Sequence, residues 1–375
     1  MRELTQIAEL YRTLQAEAVP CALATVVAIE GSSYRRIGAR LLVATDGRYA
    51  GGISGGCLEG DAKKRAKRAI LAGRPTIQVY DTLEGEDAVI GVGLGCNGRI
   101  DVLFSPLPLT AGPENPLTLL TDLAASGDGA TLVQVIGGAG WENHAGRLYP
   151  FSELDRLVAA TNLSSETLDE IERLANNRSR VLEGMTRRGA SVRLLIEHLR
   201  PRPNLTVVGY NYDVYPLLQL LQLQGWSYDL VGPLRHYTPA VVRAARRHVE
   251  YGDVAKLRLG PADNVALMTH DYATDLRLLP EILAAEVGYL GLLGPRKRTA
   301  KLTDDLLAST GVSLANYPNL HAPIGLDIGA ETPGEIALAI VSEVTACRRE
   351  RSGGFLRDGR GPIHQREPIL TVSLP

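Results

Sequence analysis

Cys57 and Cys96 each sit in a run of glycines, and such runs place a thiol where backbone can approach a ligand closely. Cys57 lies in the loop Gly51 to Gly60, immediately ahead of a segment, Asp61 to Ala72, whose composition favours helix with Gly73 as its stop. A glycine loop feeding a helix can present backbone N–H groups at the positive end of the helix dipole, which suits a phosphate or another anion. The same glycines also serve where only a tight backbone conformation is needed. A thiol at a helix N-terminus is more available as thiolate, the form that ligates metals and carries sulfur. Cys96 sits in a second glycine-rich turn, Gly93 to Gly98. Two such thiols sharing a site would suit molybdenum or sulfide chemistry, although their spacing does not by itself establish contact.

Other residues carry weaker signals. Arg35 and Arg36 are adjacent cations in the connection before a strand at Arg40, able to fork onto phosphate or carboxylate or simply to solvate a loop. Gly209, Asn211 and Asp213 stand where a dinucleotide-binding turn would read G-x-G-x-x-G, but only the first glycine is there. The strand after that turn ends Leu230, Val231, Gly232, Pro233, without the acid that would hold a ribose hydroxyl. The pattern argues against NAD binding in the ordinary mode, while a nucleotide bound in another way stays open. His270, between Thr269 and Asp271, is placed for acid–base or metal work, or for ordering its own loop. Gly291 to Arg298 joins a flexible turn to three cations, which fits an anionic ligand. Cys21, inside an apolar strand, reads as core, and Cys347 on the last helix has no supporting context.

The elements that position these residues read as α/β. A helix over Leu4 to Leu14 leads into a strand from Cys21 to Ile29, and a strand from Arg40 reverses at Asp46 and Gly47. Prolines 106, 108, 113 and 116 close a first, mixed α/β domain over 1–110. Residues 111–200 form a middle segment without a chemical motif, including a polar, helical stretch near Ser164 to Arg188. From Leu205 a strand–helix–strand pattern opens a Rossmann-like domain with a parallel sheet over 201–350, followed by a polar tail over 351–375. A chain of 375 residues has ample material for two or three cores. With 40 Lys plus Arg against 42 Asp plus Glu, the charge balance predicts neither a nucleic-acid binder nor a membrane-surface protein. The absence of a signal-like or long apolar run predicts a soluble, cytoplasmic protein. Four dispersed cysteines support neither disulfide stapling nor a structural zinc site.

Several segments together resemble the XdhC/CoxI family: Gly31 to Arg36 with Gly38 to Arg40, Gly55 to Glu59, Gly93 to Gly98, Gly291 to Arg296, and His321 to Ala337. Asp213 and Pro216 fit that family's G-x-G-x-D-x-x-P form of the turn, from which Asn211 and Gly232 depart. The resemblance implies a chaperone more than a catalyst, one that binds molybdenum cofactor (molybdopterin), protects it during sulfuration and delivers it to a xanthine dehydrogenase-type molybdoenzyme. It implies a cysteine desulfurase as sulfur donor and a homodimer, and the charge balance already given predicts no nucleic-acid or membrane partner. It makes Cys57 and Cys96 the cofactor- and metal-associated residues, with Gly55 and Gly56 as a pterin-phosphate cradle and Arg35, Arg36, Gly209 and Asp213 as further cofactor contacts. The competing readings are an NAD(P)-dependent oxidoreductase using the Rossmann-like domain, and an assembly scaffold that handles no cofactor.

Overall fold

Helix Arg2–Ala16 forms because Leu4, Ile7, Ala8, Tyr11 and Leu14 recur at helical spacing and bury one stripe. The stripe faces strand Cys21–Gly31, whose first eight residues are all buried. In this computed structural model the described residues are 2–31, 33–81, 98–110, 112, 115–138, 144–175, 178–360, 363 and 369–371. The chain divides into two compact units, Met1–Pro201 with Arg360–Pro375, and Arg202–Gly359.

The first unit holds two five-stranded sheets. One runs in the order Tyr49–Gly51, Arg40–Ala44, Cys21–Gly31, Gly98–Pro106, Thr76–Asp81, antiparallel throughout. Alternation along the central strand sorts its side chains: Cys21 and Leu23 meet helix Arg2–Ala16, while Ala22, Ala24 and Val26 meet helix Glu59–Ala72. That second helix presents Ala62, Ala66 and Ala69, small side chains that let it lie close to the sheet.

The other sheet orders Leu370–Thr371, Arg180–Met185, Ser191–Leu199, Ala130–Gly138 and Leu148–Pro150. Helices Leu154–Thr161 and Ser165–Leu174 cover one face of it. Val27, Ala28 and Leu103 of the first sheet meet Ile136, Val181 and Leu195 of the second in a shared cluster. Residues 111–200 thus supply most of this second sheet and its helices, within the first unit. The helical expectation for Ser164 to Arg188 is corrected. Helix Ser165–Leu174 ends there, and Arg180–Met185 is a strand antiparallel to Ser191–Leu199 across a turn in which Gly189 takes φ +77°. Pairing and the burial of Val181 and Leu182 override the polar composition.

The second unit is a six-stranded, all-parallel sheet in the order Arg247–Val249, Ser227–Val231, Asn204–Val208, Asn264–Leu267, Tyr289–Leu292, Leu320–His321. Counted along the chain from Asn204 this is 3-2-1-4-5-6, the Rossmann order. Helices Val214–Leu223 and Pro333–Arg348 cover one face, and Tyr272–Ala284 and Arg296–Thr310 the other. The strand order reverses between Asn204–Val208 and Asn264–Leu267. Open α/β sheets bind ligands outside the carboxyl ends of strands at such a point.

Candidate functional site

Each unit contributes its own set of candidate residues. In the first, the loop after strand Tyr49–Gly51 begins with a backbone crossing that needs glycine: Gly51 has φ +86°, and a Cβ there would lie 2.3 Å from the Arg40 carbonyl oxygen. The rest of the loop is organised by two side chains. The Glu59 carboxylate accepts from the amides of Ser54 (2.8 Å) and Ile53 (3.2 Å) and from the Ser54 hydroxyl. The Ser54 oxygen accepts in turn from the amides of Leu58 (3.0 Å) and Gly56 (3.1 Å). Burial alone would push the Glu59 carboxyl up, but the donors from Ser54 and Ile53 outweigh it and hold the group below the usual carboxylate range.

The expected row of free amides is narrowed accordingly. Four of them are taken up inside the loop, and what Gly55 and Gly56 offer a ligand is room. Gly56 has φ +114° with nothing within 4 Å of the place a Cβ would occupy, and Gly55 lies against the Tyr34 ring. Cys57 is exposed at the head of helix Glu59–Ala72, beside that open backbone. Its partner in the sequence reading, Cys96, lies outside the described residues. Arg35 donates one guanidinium nitrogen, Nη2, to Glu3 of the first helix, and both Arg35 and Arg36 keep surface open to solvent. Cys21 is core, as expected, and burial pushes its thiol up to about 12. Among the described residues no group of three or more His, Cys, Asp or Glu could hold a metal ion.

In the second unit the turn after strand Asn204–Val208 lies at the switch point. Gly209 takes φ +136°, and a Cβ there would fall 2.3 Å from the Met268 carbonyl oxygen, so the two neighbouring turns touch through backbone. Asn211, at the second glycine position of the dinucleotide pattern, donates its side-chain amide to the Thr269 carbonyl (2.9 Å). Asp213 is buried as the residue preceding helix Val214–Leu223, and its Oδ2 lies 2.7 Å from His270 Nε2. Its other oxygen, Oδ1, is buried without a partner. A carboxylate therefore occupies the helix N-terminus where a pyrophosphate would bind.

Around this pair the polar groups are linked. The Thr269 hydroxyl donates to buried Asp275, which also accepts from Arg298 (2.5 Å). The Tyr237 hydroxyl donates to the Gly209 carbonyl (2.7 Å), and burial holds that phenol far above its ordinary range. Sequence reasoning singles out Gly209, Asp213 and His270, and the fold brings them together. It misses Tyr237 and the Ser54–Glu59 clamp. An acid in the first turn of a helix behind a serine is the available signal for the clamp.

Residues 205–344 match the family described as the XdhC Rossmann domain, and residues 14–81 match the XdhC and CoxI family. The chain belongs to the XdhC and CoxI family. A Bacillus subtilis (strain 168) relative, named as a probable xanthine dehydrogenase subunit, is 28% identical over 348 residues, which is 89% of this chain and 94% of the relative. The molybdenum cofactor insertion chaperone PaoD of Escherichia coli (strain K12) is 25% identical over 329 residues, 87% of this chain and 83% of its own. A solved structure, described as a xanthine dehydrogenase from Bacillus halodurans, aligns with a TM-score of 0.69 at 26% identity, covering 92% of this chain and 96% of that one. Arg35, Arg36, Gly55, Gly56 and Cys57 fall in the XdhC and CoxI segment, and Gly209, Asp213 and His270 in the XdhC Rossmann segment.

Proposed function

We propose that this chain is an accessory chaperone that binds molybdenum cofactor, supports its sulfuration and assists its insertion into a xanthine dehydrogenase-type molybdenum hydroxylase. The observation that carries the reading is its likeness, along 87% of its length, to a relative named as a molybdenum cofactor insertion chaperone. The first unit adds a chemical reason. An exposed thiol at Cys57 stands beside an uncrowded Gly56, so a soft sulfur ligand and open backbone occur together. The cargo supplies a metal that favours thiolate. Cys57, with Cys96, holds it, while Gly55 and Gly56 let its pterin phosphate lie against the main chain. In this reading the sulfur comes from a cysteine desulfurase, and the working form is a cytoplasmic homodimer.

The test is anaerobic binding of molybdenum cofactor to the full chain and to Cys57→Ala and Cys96→Ala, followed by transfer to an apo molybdenum hydroxylase. Wild type binds and reconstitutes the enzyme, and loss of either thiol weakens binding by about tenfold or more, roughly 1.4 kcal/mol. Absence of cofactor binding by wild type would sink the reading. Binding and transfer that survive both substitutions would move the site away from the thiols.

A further inference from the structure

The second unit contains a thiol, an imidazole and a carboxylate in series, away from the turn at Gly209. His321 ends the edge strand Leu320–His321, and Cys347 and Glu343 lie one turn apart on helix Pro333–Arg348. His321 Nε2 is 3.7 Å from Cys347 Sγ, and His321 Nδ1 is 3.3 Å from Glu343 Oε1. The carboxylate is itself fixed: its Oε2 accepts from the Tyr289 hydroxyl (2.5 Å) and from the Gly325 amide (2.9 Å). The imidazole ring stacks on Tyr289, centroids 4.5 Å apart.

His321 faces sulfur with one ring nitrogen and carboxylate with the other. The three groups therefore form a chain rather than a converging ligand set, in keeping with the absence of a metal-holding group among the described residues. A nucleophile in reach of a base that a third group orients is the arrangement of activated thiols. Acyl transfer would also need amides directed at a developing oxyanion. The nearby Gly325 amide is already committed to Glu343. Displacement at sulfur has no such requirement, because charge stays on the sulfur atoms.

We propose that Cys347 is a nucleophilic thiol that accepts sulfane sulfur from a persulfide or polysulfide, with His321 as its base and Glu343 as the residue that positions His321. In the step, the Cys347 proton passes to His321 Nε2 and the sulfur lone pair forms a bond to the terminal sulfur of the donor R–S–SH. The donor S–S bond breaks, its electron pair leaves on R–S⁻, and His321 returns the proton to give R–SH and Cys347–S–SH. No outside oxidant or reductant is needed. Burial, and then the Glu343 carboxylate, push the Cys347 thiol up, which favours the protonated thiol until the electrophile arrives. The titratable neighbours are His321 and Tyr289 from the sheet and Glu343 from its own helix. The packed helix Val214–Leu223 brings no charge, and Arg348 lies over the Trp226 ring.

The inference is independent of cofactor binding, since it is read on the purified full chain without cofactor. The chain is treated with sodium tetrasulfide, quenched with iodoacetamide, and every cysteine is followed by peptide mass spectrometry, with exposed Cys57 as internal reference. Cys347 gains sulfur at least as fast as Cys57 although it is less exposed. His321→Gln slows Cys347 on the order of tenfold or more and leaves Cys57 unchanged. Glu343→Gln, which keeps the acceptor for Tyr289, slows it by a smaller factor and displaces the pH profile of the Cys347 rate, which a merely structural role would leave in place. Far-ultraviolet dichroism and melting confirm that each variant is folded. The proposal is overturned if Cys347 stays unmodified in wild type while Cys57 reacts, or if both folded variants keep its wild-type rate and pH profile.

Discussion

Arg40 and Glu197 form a two-pronged ion pair inside the first unit, each side chain almost wholly buried. Arg40 Nη1 donates to Glu197 Oε1 at 2.8 Å and Nη2 to Oε2, joining strand Arg40–Ala44 of one sheet to Ser191–Leu199 of the other. Gly38 makes room, since a Cβ there would lie 2.4 Å from Glu197 Oε1.

Removing one partner of such a pair leaves an uncompensated buried charge. Glu197→Ala should cost about 3–5 kcal/mol, whereas replacing both partners by apolar residues (Arg40→Met with Glu197→Leu) should cost far less. Urea denaturation of the two variants against wild type checks the difference. Equal destabilisation would show that the pair's contribution is packing rather than charge.

A second buried carboxylate ties acid stability to the Rossmann sheet. Asp229 is wholly buried and accepts from Arg246 and Arg247 and from the Asn204 side chain. Burial would raise its carboxyl, but the bonds from Arg246 and Arg247 prevail and hold it below the usual range. A carboxylate with a depressed folded pKa contributes stability that is fully present above its unfolded value, about 3.9, and is lost as pH falls through the folded one. Thermal melts from neutral pH down to about 3 should therefore fall more steeply for wild type than for Asp229→Asn, which lacks this titration. Parallel curves would remove Asp229 from the acid response.

Periodicity makes the parallel sheet legible, because buried strands such as Leu205 to Val208 and Asn264 to Met268 are apolar runs separated by helical stretches. The switch-point cluster is legible in part. The broken turn at Asn211 and the histidine at 270 can be read from the chain, but nothing local says that His270 meets Asp213 across 57 positions. The same holds for Cys347, which gains its context only when an edge strand brings His321 beside the last helix. Arg180–Met185 reads as helix from a polar composition that speaks for the segment alone, whereas its pairing with Ser191–Leu199 is tertiary.

Gly209 offers a backbone test of the switch point. A side chain there must enter an unfavourable φ of +136° and meet the Met268 carbonyl, which is backbone and cannot swing aside. Gly209→Ala should cost upwards of roughly 1–3 kcal/mol. Gly47→Ala, with φ +101° and nothing within 4 Å, carries the conformational strain without the collision. Chemical denaturation of the pair separates the two costs, and equal losses would argue against the close approach of the turns.

The same turn predicts the response to dinucleotides. Asn211 is bonded to the Thr269 carbonyl where a glycine would admit a pyrophosphate, and the Asp213 carboxylate stands at the helix N-terminus and repels one. Strand Ser227–Val231 is followed by Gly232 rather than an acid, so the position that holds the ribose hydroxyls in the dinucleotide pattern carries no carboxylate. Asp229, earlier on the strand, is buried and tied to two arginines. Titration of NADH followed by its fluorescence should give no saturable signal below about 1 mM, a binding free energy weaker than about 4 kcal/mol. Asn211→Gly alone should not restore binding, because the Asp213 charge and the missing ribose partner remain. Micromolar NADH binding by wild type would return the oxidoreductase reading to consideration and require Asp213 to move from the helix end.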